Sequence, residues 1–375
     1  MSYATWRRTI VRRAMFQLHL WTGLFTGVVM LALGLSGSML MLWPEPHVAV
    51  APDARPAPTL QEIAHRIAPG PDARLASVRL PLSAGEPLQW RYAGAPGQPG
   101  PSVYTHPQTG SVVPIESGSG ITSRQWWHVF HGRLQGGANG RLVVGWFGVA
   151  LFLLAVTGLA IWWPAPGAWR RSVAFERGRR VTAWHLHSIV GFWMCLPIAV
   201  LALTGAYFAF PEGTRRAAHG LFGGEPAPTA PRLQQAAPPA GDPPTLDAIV
   251  ATARGVLPDG TVSTIQFPSQ PTAPLTVTVR RAGDPRPRGN NAVYLHPATG
   301  GVLQVVRFDQ LSTPARALAT IGPFHFGLVG GPVIWWAWLV AGIAPAVLFV
   351  TGFLVWVNRV VRRWMTAPNQ RARAA

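Results

Sequence analysis

The sequence predicts a membrane protein: a four-transmembrane-helix bundle built from a tandem repeat, with two small α+β domains outside the bilayer. Three observations carry this. Four segments are apolar over the length of a bilayer crossing, the arginines crowd onto three short segments between and beyond them, and the first half of the chain matches the second in order.

A helix needs about 20 apolar residues to cross a bilayer. Residues 18–43, 141–163, 184–210 and 332–357 meet that length, and apart from Arg141 at the margin of the second they contain no Asp, Glu, Lys or Arg. The first is too long for a secretory signal, and Trp43-Pro44-Glu45-Pro46 after it lacks a small-residue cleavage site. It therefore reads as an uncleaved span.

The chain has 375 residues and a formal charge of +18, yet only 12% of its residues are charged. All 32 basic residues are arginine, and fourteen of them lie in residues 1–17, 164–183 and 358–375, against the single acid Glu176. Such a bias marks cytoplasmic segments. Both termini and the short middle loop are thus expected inside, and the longer connections, 44–140 and 211–331, outside. Most of the charge is an orientation signal, which argues for a bilayer and against nucleic acid as partner. One cysteine, Cys195, excludes a disulfide framework, a Cys-rich zinc site and an iron–sulfur cluster.

The internal match runs in order. Leu18-His19 with Gly23 recurs as Leu186-His187 with Gly191, and Ser36-Gly37 as Thr204-Gly205. Val103-Tyr104-Thr105-His106-Pro107 recurs as Val293-Tyr294-Leu295-His296-Pro297. Phe130-His131 recurs as Phe324-His325, and Thr157-Gly158 as Thr351-Gly352. Each repeat is span, outer domain, span, so the two are parallel repeats about an axis along the membrane normal. Residues 44–123 and 211–315 read as the outer domains. In the first, a short helix is capped by Thr59, strands alternate over Leu75–Leu80, Leu88–Tyr92 and Ser102–His106, and a turn follows at His106-Pro107. In the second, a helix starts at Thr245 and strands lie near Val262–Phe267, Leu275–Arg280 and Asn291–His296. A Pro/Ala-rich linker covers Glu225–Pro244. Segments 124–140 and 316–331 read as interfacial, broken from the following span by Gly136-Gly137 and by Gly330-Gly331-Pro332.

The repeat sorts the histidines. A single histidine near a span end reads as an interfacial polar residue, but duplication brings His19 with His187 to one membrane face and His131 with His325 to the other. Two facing neutral imidazoles suit the axial positions of a b-type haem, so the expectation is two b-type haems with iron held by these four residues. A zinc or copper site would want further Cys, Asp or Glu ligands. Gly37, Gly158, Gly205 and Gly352 are expected to leave room for a flat macrocycle or to allow close helix packing. Gly37 lies about 27 Å along a helix from His19, at the depth of the other pair. His128 and His185 have no repeat partners and read as interface residues, with a supporting or substitute ligand role as the alternative. His106 and His296 read as turn residues, with contact to iron or haem as the alternative, and Cys195 as inert packing.

These Leu-His/Gly and Thr-Gly motifs, with the small outer domains, resemble the PepSY-associated transmembrane family over about Phe16 to Trp356. Within it the chain is similar to inner-membrane ferric-siderophore reductases of the FoxB kind. The resemblance implies a four-span protein of the bacterial inner membrane with two haems that passes electrons outward to siderophore-bound or otherwise chelated ferric iron. It implies an oxidoreductase concerned with iron. No nucleotide-binding fingerprint is present, so the donor is expected to be a separate reductase, a reduced flavin or a membrane quinol. The alternatives are a non-redox PepSY sensor or protease-regulating protein, and a siderophore transporter.

Overall fold

In the computed structural model the described residues are 3–49, 57–70, 73–94, 100–114, 123–163, 174, 181–233 and 243–372; for 3–9 and 361–372 only the helical backbone is described. Arg170, Arg171, Glu176, Arg177, Arg179 and Arg180 lie outside them, as does the middle of the Pro/Ala-rich linker. The chain divides into a helical unit (residues 1–43, 119–214 and 325–375) and a sheet unit (residues 44–118 and 215–324).

Four helices are long and apolar enough to cross a membrane. They are α1 (Tyr3–Leu42), α4 (Gly137–Trp162), α5 (Ala183–Ala209) and α9 (Gly331–Ala372). Between the first two lies the short α3 (Arg124–Arg133), and α6 (Pro211–Phe222) follows α5. The four long helices pack in the cyclic order α1, α4, α5, α9. Little of each apolar surface is covered by protein: Phe25, Trp146, Leu196 and Val333 stand exposed. A water-soluble bundle would hide such a surface, whereas hydrocarbon leaves it at no cost. Where the helices do touch, small residues let backbones approach, as at Gly34 of α1 against the Gly342 carbonyl of α9. Ser38 donates to the Leu339 carbonyl across the same seam at 3.1 Å.

The break between α3 and α4 is sharp because the backbone turns left-handed at Leu134, Gln135 and Gly137 (φ 46°, 59° and 58°). Only the glycine adopts that region without steric cost. The second break comes after α8 (Thr313–His325), where Gly327, Gly330 and Gly331 take positive φ before α9 begins.

The sheet unit differs from two separate small sheets. Each half supplies a four-stranded meander: β1 (Leu75–Arg79), β2 (Leu88–Tyr92), β3 (Ser102–Thr105) and β4 (Val112–Val113), then β5 (Thr261–Gln266), β6 (Leu275–Arg280), β7 (Asn291–Leu295) and β8 (Val302–Val306). They join in one eight-stranded antiparallel sheet of order β4-β3-β2-β1-β5-β6-β7-β8. The seam is the β1–β5 pair, with Val78 opposite Ile265 and Arg79 opposite Thr264. Apart, β1 and β5 would each present an unpaired backbone edge; paired, they satisfy each other.

Helices α2 (Leu60–Ile67) and α7 (Leu246–Val256) cover one face over a shared core that includes Ile63, Val78, Trp90, Ile249, Ala253, Ile265 and Val277. Trp90 is fully buried, and its indole N–H donates to Thr105 Oγ1 at 2.9 Å. Thr59 caps α2 in a capping box with Glu62, and Thr245 caps α7. The two helix starts also lock together. Asp247 accepts from the Leu60 and Gln61 amides at 3.0 and 3.1 Å, and the Gln61 side-chain Oε1 accepts from the Leu246 amide at 3.1 Å. The other face is polar. Across the seam runs a row of paired residues, Tyr104, Gln89, Arg79, Thr264 and Thr278, drawn from both halves.

Candidate functional site

The helical unit brings the four expected histidines together as two pairs. His19 of α1 and His187 of α5 have ring centroids 6.4 Å apart, with ring planes at 88°. His131 of α3 and His325 of α8 are also 6.4 Å apart, with planes at 44°. The His131 ring is held by Leu33 and Ser36 of α1. Along α1 this is about 25 Å from His19, close to the thickness of the hydrocarbon core. The pairs therefore sit near opposite ends of the spans.

Every imidazole has its Nδ1 engaged. His19 Nδ1 lies 3.0 Å from Thr157 Oγ1, and His325 Nδ1 lies 2.8 Å from Thr204 Oγ1. His131 Nδ1 meets the Leu33 carbonyl at 2.9 Å and Ser36 Oγ at 3.2 Å. His187 Nδ1 meets the Leu348 carbonyl at 3.0 Å and Thr351 Oγ1 at 3.1 Å.

The tautomer follows from donor bookkeeping. A carbonyl only accepts, so His131 and His187 must donate from Nδ1. The hydroxyls give their own hydrogens to helix carbonyls one turn back: Thr157 to Leu153 at 2.7 Å, Thr204 to Val200 at 2.8 Å, Thr351 to Val347 at 2.6 Å, and Ser36 to Leu33 at 2.9 Å. They are left with lone pairs and accept from the imidazoles. All four histidines thus carry the proton on Nδ1 and keep a lone pair on Nε2. A metal-ligating imidazole takes this form, with its other nitrogen fixed by an acceptor.

The glycine after each hydroxyl residue seats the ring. A Cβ built on Gly37 would stand 2.8 Å from His131 Cε1, on Gly158 3.0 Å from His19 Cε1, on Gly352 3.2 Å from His187 Cε1, and on Gly205 3.4 Å from His325 Cε1. Each glycine faces an imidazole edge, and the space it leaves is taken up by the ring. The hydroxyl and the glycine act together: one fixes the tautomer, the other admits the ring.

In centroid separation the pairs fit one metal ion held between two imidazoles: with metal–nitrogen bonds of about 2.0–2.1 Å such rings have centroids up to about 6.3 Å apart, close to the 6.4 Å of each pair. Among the described residues no three His, Cys, Asp or Glu side chains converge. Each pair thus offers two nitrogen donors, which suits a group that brings its own equatorial ligands, as haem does.

The remaining histidines lie apart from these contacts. His128 is on α3, one turn before His131; burial, then the Arg124 and Arg133 charges, hold its pKa below the ordinary value. His185 Nδ1 lies 3.4 Å from Thr182 Oγ1, and its ring meets Trp184 edge-on. His106 and His296 shape turns: each Nδ1 accepts backbone amides, from Gln108 and Thr109 in one and Ala298 and Thr299 in the other. Cys195 is partly buried within α5.

Fold and site together define an integral membrane protein with four apolar helices and two imidazole pairs, one drawn from α1 and α5 and the other from the short helices α3 and α8. A family model described as PepSY-associated TM region matches residues 16–359, and the chain belongs to that family. Comparison with curated proteins finds no matching relative.

Proposed function

We propose that the protein is a transmembrane electron conduit that reduces ferric iron outside the bacterial inner membrane, siderophore-bound or otherwise chelated. His19 with His187, and His131 with His325, would each hold one b-type haem. Bound there, the haem iron supplies one-electron ferric/ferrous chemistry. The observation that carries the reading is the pair geometry: two imidazoles 6.4 Å apart at each end of the spans, each held at Nδ1 and with no hydrogen bond to Nε2 among the described residues.

The chain's own residues supply position. The Thr157, Thr204, Thr351 and Ser36 hydroxyls and the Leu33 and Leu348 carbonyls hold Nδ1–H and so keep each Nε2 a donor to metal. Such partners also raise ligand basicity, which favours the ferric state. The apolar helices keep water and ions from the path between the pairs. The arginine distribution supports cytoplasmic termini; with that orientation the His19/His187 pair would be on the donor side and the His131/His325 pair on the outer side. The donor would be a separate reductase, flavin or quinol. The tandem match supports two parallel repeats, each giving one ligand to each pair.

The test is vectorial. The protein is reconstituted into vesicles enclosing a ferric chelate and a ferrous indicator, and a membrane-impermeant reductant is added outside. Ferrous iron should form inside at a rate that scales with protein and is lost in His19→Ala and His131→Ala. A rate equal to protein-free vesicles would refute the conduit.

A further inference from the structure

The polar face of the eight-stranded sheet has a composition that solvation alone does not require. The eight strands contain three arginines, Arg79, Arg91 and Arg280, and no Asp or Glu. Each arginine follows a buried residue (Val78, Trp90 or Val279), so all three project from the face opposite α2 and α7. Arg79 pairs with Gln89 across β1 and β2, and Arg91 lies two residues along β2. Diagonal neighbours of this kind are about 7–8 Å apart. Among the described residues neither arginine has a hydrogen bond or a paired carboxylate. Crowding by its surroundings, then the Arg288 and Arg91 charges, lower the pKa of Arg79; Tyr104 and Glu45 act the other way. Two cations are thus held side by side against their mutual repulsion. Around them stand neutral hydrogen-bonding groups, with the Gln89 amide donating to the Tyr104 hydroxyl at 3.0 Å.

We propose that this face binds an anionic ferric chelate, through charge-assisted hydrogen bonds from Arg79 and Arg91 to the chelator's oxygens, with Gln89, Tyr104 and Thr264 as neutral partners. The assignment rests on the reductase reading for the iron and on the sheet for the charge. Two guanidiniums on strands that bear no Asp or Glu, with the Glu45 charge acting on Arg79 less than those of Arg288 and Arg91, complement a small polyanion and disfavour a cationic chelate.

The test uses the full-length, detergent-solubilised protein and gallium(III) citrate, a redox-inert stand-in, with bound gallium measured by equilibrium dialysis. Wild type should bind it, more weakly as salt rises. Arg79→Gln and Arg91→Gln should each weaken binding about tenfold or more, the scale of one charge-assisted hydrogen bond. Arg79→Lys, which keeps the charge, should retain part of the affinity. Arg254→Gln, on α7 across the sheet, should bind as wild type. Unchanged binding in both glutamine variants overturns the proposal, as does an equal loss in Arg254→Gln. Metal-free citrate binding as tightly overturns the chelate assignment. Haem absorbance of the same samples separates the two readings. Arg79-dependent binding in haem-free protein would sink the electron reading and keep the site. Two haems per chain with no Arg79 or Arg91 dependence would do the reverse.

Discussion

The four ring-seating glycines form a graded series that a single substitution type can test. An alanine at Gly37 places its Cβ 2.8 Å from His131 Cε1, so the ring must retreat by about 0.6 Å to reach the 3.4 Å of ordinary contact. The required retreat shrinks through Gly158 (3.0 Å) and Gly352 (3.2 Å), and vanishes at Gly205 (3.4 Å). The rings have little freedom to move, because the His131 Nδ1–H is tied to the helix that carries Gly37. Forcing an extra methyl into a packed site costs about 1–3 kcal/mol, or roughly 5- to 150-fold in occupancy of the native ring position. Haem per protein, measured on purified variants by pyridine haemochrome, should fall in the order Gly37→Ala, Gly158→Ala, Gly352→Ala, Gly205→Ala. The first should lose most of one haem and the last should be close to wild type. Equal haem in Gly37→Ala and wild type, or a greater loss in Gly205→Ala than in Gly37→Ala, would refute the seating argument.

The hydroxyls give a second series. Thr204→Val removes the acceptor of His325 Nδ1–H, while Thr351→Val leaves His187 its bond to the Leu348 carbonyl. On the proposed reading, Thr204→Val should raise the midpoint potential of the haem at the His131/His325 pair and weaken its retention by about 10- to 100-fold. Thr351→Val should do less; equal shifts in a redox titration would contradict this. In the sheet unit, Asp247→Ala deprives two α2 amides of their acceptor and should cost about 1–2 kcal/mol, as loss of a helix cap does. An unchanged unfolding midpoint would count against the lock between α2 and α7. Arg281 pairs with Asp259 and Asp309 at the surface, and Arg281→Ala should leave thermal unfolding unchanged, since exposed ion pairs contribute little.

The spans were legible because length and apolarity alone decide whether a segment can cross a bilayer; no tertiary information enters. Their ends were less so. Helix α1 already begins at Tyr3, through Arg7, Arg8, Arg12 and Arg13, because a helix continues past the hydrocarbon wherever nothing breaks it. The short strands β4 and β8 after the His106 and His296 turns were missed. β4 has only two residues; β8 has five, but as an edge strand it shows no alternation of buried and exposed positions. The joining of both meanders through β1 and β5 was also invisible. It pairs Val78 with Ile265, far apart in sequence, and strand composition does not name its partner.

At the site, the histidines and glycines were legible because they recur. The glycines read as room for a macrocycle or for close helix packing, and which imidazole edge each one faces was not legible, since a small residue signals space without saying what fills it. Thr157, Thr204, Thr351 and Ser36 stood in the motif, yet their task as Nδ1 acceptors appears only when each hydroxyl is seen bonded back to its own helix. The Leu33 and Leu348 carbonyls carry no side-chain signal at all.

The central claim is that each imidazole pair holds one haem. The most direct measurement is the absorbance spectrum of the detergent-purified protein, oxidised and dithionite-reduced, with haem counted per chain. Two haems per chain with low-spin, six-coordinate spectra are expected, falling to one in His19→Ala and to one in His131→Ala. A featureless Soret region, or haem content unchanged in both variants, would contradict it.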